Sequence, residues 1–177
     1  MDQDIKIRVN EKLLLKTIKV NDVSEKYVGW LNDYNVTKYT EQRYFLHTSE
    51  SVSDFVSSKY NSKNDLLLGI FLEKLHIGNF KLGPINWKHM KTEVSFFIGD
   101  KSVLRKGVAT ECLQSVIKYA INKLDLKKIN ASYYEKNVAS AKVFEKCGFK
   151  IEGVRREEFI CEGKRVNSIL VGYIPDR

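Results

Sequence analysis

Residues 107–124 repeat apolar side chains at helical spacing (Leu113, Val116, Ile117, Ala120, Leu124), and the helix they predict starts at a basic, small-residue turn, Arg105-Lys106-Gly107-Val108-Ala109-Thr110. Residues 93–98, just upstream, read as a strand. A strand, a glycine turn and an amphipathic helix in that order restrict the chain to folds that lay helices on a sheet. A helix start also presents unpaired backbone N–H groups and a partial positive charge, and glycine lets a ligand approach them closely. The turn is therefore a candidate phosphate or pyrophosphate site, with Arg105 and Lys106 adding charge at its rim.

Flanking segments supply the rest of a mixed sheet. Residues 5–9 alternate and, after the polar Asn10-Glu11-Lys12, the run 13–15 continues the pattern, which predicts two short strands or one bent one. A helix capped by Asn21 or Asp22 carries Val23, Tyr27, Trp30 and Leu31 on one side, and a short second helix starts after Asn35. Thr48 caps a third, with Val52, Phe55, Val56 and Tyr60 as its apolar face. Runs 66–75, 77–88 and 93–98 predict an antiparallel meander, and 129–133 another strand. A helix over residues 138–146 stops at Cys147-Gly148, and strands around 154–161 and 168–173 close the chain. The expected class is α/β, an α+β mixed sheet flanked by helices, in a single domain over residues 1–177.

Composition removes several alternatives. No apolar run approaches the ~20 residues of a membrane span, and the N-terminus lacks a signal-peptide layout, so the expected location is cytoplasmic, with no membrane partner. Cys112, Cys147 and Cys161 are odd in number and lack zinc-ligand spacing, which predicts reduced thiols and no metal. The net charge of +8 suits an anionic partner. Its lysines are scattered among acids, so a solvated surface is favoured over a nucleic-acid stripe.

The turn is neither a Walker loop nor a dinucleotide fingerprint. It resembles motif A of the GNAT acetyltransferase superfamily, [QR]-x-x-G-x-[GA], with Gly107 and Ala109 on the two small positions. Thirty residues on, Asn137, Ser140, Ala141 and Phe144-Glu145-Lys146-Cys147-Gly148-Phe149 are similar to that superfamily's N-x-x-[AS]-x-x-x-[YF]-x-K-x-G-F. The resemblance implies the acyl-CoA N-acyltransferase fold, a splayed, mostly antiparallel sheet, and an acetyl-CoA-dependent N-acetyltransferase. It implies that Val103, Leu104, Arg105, Lys106, Gly107, Val108, Ala109 and Thr110 line the pyrophosphate, Asn137 bonds the pantetheine arm, and Ser140 and Phe144 face the cofactor. The pattern departs at two points. Leu104 replaces the usual Gln or Arg, and Phe144 stands where many relatives carry a Tyr that protonates the departing thiolate.

Acetyl transfer requires a neutral amine, a proton acceptor and a polarised thioester. Glu93, opening the strand before motif A, is the expected base, and Tyr134 the expected proton donor, with Tyr133, His76 and His89 as alternatives. Trp30-Leu31-Asn32-Asp33, the later Val36-Thr37-Lys38-Tyr39 and Ile77-Gly78-Asn79 resemble the bacterial ribosomal-protein-alanine branch and its relatives that acetylate amino-sugar nucleotides for surface polysaccharides. The acceptor is thus expected to be an amino-sugar nucleotide, with a protein N-terminus as the competing choice. Trp30, Tyr39 and Arg43, with Lys38 and Tyr44, are the expected acceptor wall. A non-catalytic acyl-CoA or nucleic-acid binding module is the reading of a different class. The apolar edge of such a sheet suits a second copy of the chain.

Overall fold

Alternating and continuous apolar runs build one eight-stranded sheet, and the amphipathic segments between them cover its two faces. The computed structural model describes residues 4–175. Its elements are β1 (Lys6–Arg8), β2 (Leu13–Thr17), α1 (Glu25–Asn32), α2 (Tyr34–Thr37) and α3 (Ser49–Tyr60), then β3 (Leu66–Leu72), β4 (Leu75–Leu82) and β5 (Lys91–Ile98). The second half comprises α4 (Val108–Asn122), β6 (Lys128–Tyr134), α5 (Val138–Lys146), β7 (Lys150–Cys161) and β8 (Lys164–Tyr173). The strand order is β1-β2-β3-β4-β5-β6-β8-β7. Every pairing is antiparallel except β5 with β6, which run parallel and pair only at Lys91/Lys128, Thr92/Ile129 and Glu93/Asn130.

Beyond Glu93 and Asn130 the two central strands part. Residues 94–98 of β5 and 131–134 of β6 stand as the arms of a fork roughly 15 Å deep at about 3.3 Å per residue. Strand alternation sorts their side chains between two faces. Val94, Phe96, Ile129, Ala131 and Tyr133 join the main core beneath α4 and α5. Phe97 enters a second core with Tyr27, Trp30, Val52 and Val56 of α1 and α3, and Tyr134 a third with Tyr39, Phe159, Cys161 and Val166.

Several local expectations shift. Ser24, not Asn21 or Asp22, caps α1, accepting from Tyr27 N–H at 3.2 Å. Asp22 is occupied instead by Lys16 Nζ and Lys19 N–H. Asp33 caps α2, which begins at Tyr34, one residue before Asn35. Phe55 is not on the buried face of α3: Val52 and Val56, four apart, point inward, which turns Phe55 toward solvent beneath Lys59. β4 ends at Leu82, where Gly83-Pro84 leaves the ladder, and β7 begins at Lys150. β7 is an edge strand, and most of its residues are exposed, Ile151, Val154 and Ile160 among them, so its sequence carries no clean alternation. All three cysteines are buried and free.

α1 is fastened to the end of β5 by close packing. A Cβ on Gly99 would lie 2.0 Å from the Trp30 ring, so only glycine lets the indole settle there. His76 packs edge-on against Tyr27 and Trp30 and stacks on Phe71. Its Nε2 faces two acceptors, Asn79 Oδ1 at 2.8 Å and Gly78 O at 3.1 Å, and therefore carries the proton. Burial pushes this imidazole below its ordinary pKa, against the opposing pull of those two hydrogen bonds.

Two outcomes are expected. Gly99→Ala should destabilise the protein by about 1–3 kcal/mol through overpacking, with altered Trp fluorescence, in urea titration. Because the unfolded imidazole, with its pKa of about 6.5, binds a proton more readily than folded His76, the stability His76 contributes is complete above that pH and is lost as pH falls. Urea midpoints at pH 7 and pH 5 should therefore differ more in the wild type than in His76→Gln.

Candidate functional site

The fork places the anion turn and the start of α5 at one end of the sheet, because β5 and β6 are parallel and both helices follow their C-terminal ends. A short 3-10 turn, Lys101–Val103, leads from β5 into the turn. Asp100 caps it, accepting from Ser102 N–H at 3.0 Å and Ser102 Oγ at 2.7 Å, and pairs with Lys26 of α1 at 2.7 Å. Lys26 and the serine hold the Asp100 carboxyl at about 2. A second ion pair, Lys101 to Asp33 at 2.6 Å, fixes the same segment to the start of α2.

Val103 and Val108 turn their side chains into the core, and between them Leu104, Arg105, Lys106 and Gly107 are exposed. Gly107 is the N-cap of α4 at φ 82°, a left-handed conformation suited to glycine. Among the described residues, the backbone N–H groups of 105–110 find no acceptor. Glu111, in the first turn, is engaged by Asn10 Nδ2 at 2.7 Å. Packing of Leu113, Val116 and Ile117, each worth roughly 1.5–3 kcal/mol when buried, keeps this row of donors rigid. The arrangement suits an anion held by backbone donors, with the Arg105 and Lys106 side chains around it.

Asn137 caps α5, its Oδ1 accepting from Ser140 N–H at 3.1 Å, so its Nδ2 remains able to donate. Phe144 is buried, with Phe96 of β5 at 5.6 Å and Tyr133 of β6 at 6.0 Å between ring centroids. It bridges the two arms on the α5 side and, lacking a hydroxyl, closes the fork without supplying a proton. Tyr133, stacked on it, makes no side-chain hydrogen bond among the described residues. Burial, reinforced by Glu145, raises its pKa.

On the opposite face, Glu93 is exposed at the point where pairing ends. Tyr134 lies further out, at the tip of β6. Its Oη donates to Glu41 Oε1 and accepts from Arg43 Nη1 at 2.9 Å. Burial first, and Glu41 second, raise the Tyr134 pKa well above that of an ordinary phenol. Arg43 Nη1 also donates to Lys38 O and Thr40 O, and Nη2 donates to Tyr44 Oη at 2.7 Å and Ile160 O at 2.9 Å. Its terminal N–H groups are thus engaged within the protein, and the guanidinium braces the 3-10 turn Glu41–Tyr44 against β6 and β7. Tyr39 sits 5.9 Å from Tyr134, beneath Lys38 Nζ.

The structure therefore gathers Tyr39, Arg43 and Tyr134 into one wall, with Glu93 at the base of the same face. Trp30 is placed elsewhere, buried against Gly99, His76 and Phe97, where it supports the wall only through α1. His89 lies outside the strands, and His76 is committed to its own cluster. Glu41, which the sequence did not single out, also meets this wall through its hydrogen bond from Tyr134, a contact between residues too distant in the chain for local pattern to show. Among the described residues no group of His, Cys, Asp and Glu could hold a metal ion, and no helix is long and apolar enough to cross a membrane.

Residues 12–150 match the family model described as an acetyltransferase (GNAT) domain. An uncharacterised N-acetyltransferase of Bacillus subtilis, YoaA, is 29% identical over 175 residues, covering 94% of this chain and 96% of that protein. The crystal structure of a ribosomal-protein-S5-alanine acetyltransferase from Vibrio fischeri superposes with a TM-score of 0.84 at 20% identity, over 98% of each chain. Spermidine N-acetyltransferase from Vibrio cholerae, solved with CoA and spermine, gives 0.83 at 21% identity, over 93% of this chain and 96% of that one. At these identities the two structures speak for the fold.

Gly107→Glu should place a carboxylate among the row of N–H donors and weaken binding of a pyrophosphate-bearing ligand such as CoA by about a hundredfold or more, read by calorimetry. Retained affinity would move the anion elsewhere.

Proposed function

The chain belongs to the GNAT acetyltransferase family and is an N-acetyltransferase, and from that premise we propose that it carries the acetyl group of acetyl-CoA to the primary amine of an amino-sugar nucleotide. The observation that carries the donor half is the fork itself, open beyond Glu93 and Asn130 and headed by the unpartnered N–H groups of residues 105–110. The pyrophosphate rests on those donors and on Val103, Leu104, Arg105, Lys106, Gly107, Val108, Ala109 and Thr110. The pantetheine arm descends between β5 and β6 past Asn137 Nδ2, Ser140 and Phe144, and the thioester reaches the vertex. There, unpaired N–H groups of β5 polarise its carbonyl.

Glu93 is the base in this reading. It lies on the vertex's open face and accepts the ammonium proton through water, leaving a neutral amine to attack the thioester carbon. The bond to sulfur then breaks. Tyr134 is directed to Glu41, so of the two phenols Tyr133 is the one with an uncommitted proton for the leaving thiolate, and the second proton shed by the new amide nitrogen passes through water to return Tyr133 to its neutral form.

For the acceptor, the motifs around Trp30, Lys38 and Asn79 favour the nucleotide sugar. Arg43 shapes the wall and Tyr39 offers a ring, while Lys38, half-buried above that ring, is the cation placed to meet a phosphate. A protein N-terminus would fit the same open face without needing that cation. Mass spectrometry on a panel of amino-sugar nucleotides, polyamines and N-terminal peptides decides between them. Acetylation of peptides alone would overturn the sugar assignment, and no acetylated amine at all would favour an acyl-CoA binding module.

With the acceptor so identified, Glu93→Gln should lower kcat by about 10²–10⁴-fold while leaving acetyl-CoA affinity nearly unchanged. An unaltered rate across the pH range would remove Glu93 from the chemistry.

A further inference from the structure

We infer that Glu41 is the residue that receives the acceptor's ammonium group, and that Tyr134 and Arg43 hold it in place for that task. The inference rests on the reading of the face around Tyr39 and Tyr134 as the acceptor site.

Glu41 opens the 3-10 turn Glu41–Tyr44, capped by Thr40, whose hydroxyl accepts from Gln42 N–H at 3.2 Å. Tyr134 reaches it from 93 residues away and donates to Oε1. The other oxygen, Oε2, has no hydrogen-bond partner among the described residues, and neither oxygen has a cation within ion-pair distance. Arg43, two positions on, turns its guanidinium to Tyr134, Tyr44 and three carbonyls rather than to this carboxylate. The result is an exposed carboxylate, oriented by a neutral phenol and in no ion pair, with the Arg43 guanidinium one hydroxyl removed, in a chain of net charge +8.

A carboxylate held this way is suited to an ammonium. A cationic partner from the protein would compete with the substrate for it, whereas a phenol fixes the geometry and leaves the charge available. The 3-10 turn is braced to β6 and β7 by Arg43, so the carboxylate is presented without further ordering of the chain. Glu41 thus captures the amine in its charged form as it arrives at the tip of β6, and the amine then moves along the same face to the vertex, where it loses its proton at Glu93.

The two roles open to Glu41, charge and scaffold, separate on substitution. Glu41→Gln keeps an oxygen to accept from Tyr134 and removes only the charge, whereas Glu41→Ala removes both. With an acceptor amine identified in the panel above, Glu41→Gln should raise the acceptor KM about tenfold or more, with kcat within about threefold of wild type and acetyl-CoA affinity unchanged. Added salt should raise the wild-type KM by more than it raises that of Glu41→Gln, since the mutant retains only the salt dependence of the other charged contacts. A Glu41→Gln enzyme with wild-type KM beside a defective Glu41→Ala would show a scaffold only and overturn the inference. If the wild-type protein acetylates no amine, the acetyltransferase reading fails and takes this one with it. An active wild type with an indifferent Glu41→Gln removes Glu41 alone.

Discussion

β5 and β6 share a ladder over only three residue pairs, and their divergence beyond Glu93 and Asn130 sets the position of everything the site uses. Two parallel strands that stayed paired would fill the sheet's centre with their own hydrogen bonds. By parting, they leave backbone donors and acceptors facing a gap that must be satisfied by water or a ligand. The parallel sense matters equally, because it sends both following helices from the same end and brings the anion turn of α4 and the cap of α5 to the mouth of one gap.

The fork would collapse if its walls were not held apart, and packing holds them from both faces. Phe144 spans Phe96 and Tyr133 beneath the arms, so an aromatic without a hydroxyl is a structural answer where a phenol would also have been a chemical one. On the other face, the Trp30 indole occupies the space that Gly99 leaves beside β5, and Asp100 and Lys101 pair with Lys26 and Asp33. These contacts couple the donor loop to the first two helices, which themselves lead into the turn carrying Glu41 and Arg43. The turn before α4 and the turn Glu41–Tyr44 are therefore linked through α1 and α2.

Electrostatics on the acceptor face depends on which charges are already engaged. Arg43 was expected in sequence as part of the acceptor wall, and in the structure its terminal N–H groups are committed to Tyr134, Tyr44, Lys38 O, Thr40 O and Ile160 O. Some of the lysines are engaged too, since Lys12, Lys16, Lys19, Lys26 and Lys101 have acidic neighbours. The net +8 belongs to a scattered surface on which most basic side chains, and Glu41 among the acids, stand in no ion pair among the described residues.

The amphipathic helix behind Gly107, the antiparallel meander, and the cap and stop of α5 were legible because each depends on neighbours a few residues apart: a 3.6-residue period, a two-residue alternation, a glycine past the last turn. The same locality made the glycine turn before α4 and the Asn137 cap of α5 readable. β7 and Phe55 were misread because exposure at a sheet edge and the rotation of a helix on its bed are set by packing partners that local pattern does not contain. Glu41 and Tyr134, 93 residues apart, and Trp30 against Gly99, 69 apart, meet only through the order of strands. By itself, then, the sequence determined the elements and the glycine turn that starts α4, whose physics is local. The tertiary structure decided which side chains gather around Tyr134 and which charges are engaged, because both depend on contacts between segments distant in the chain.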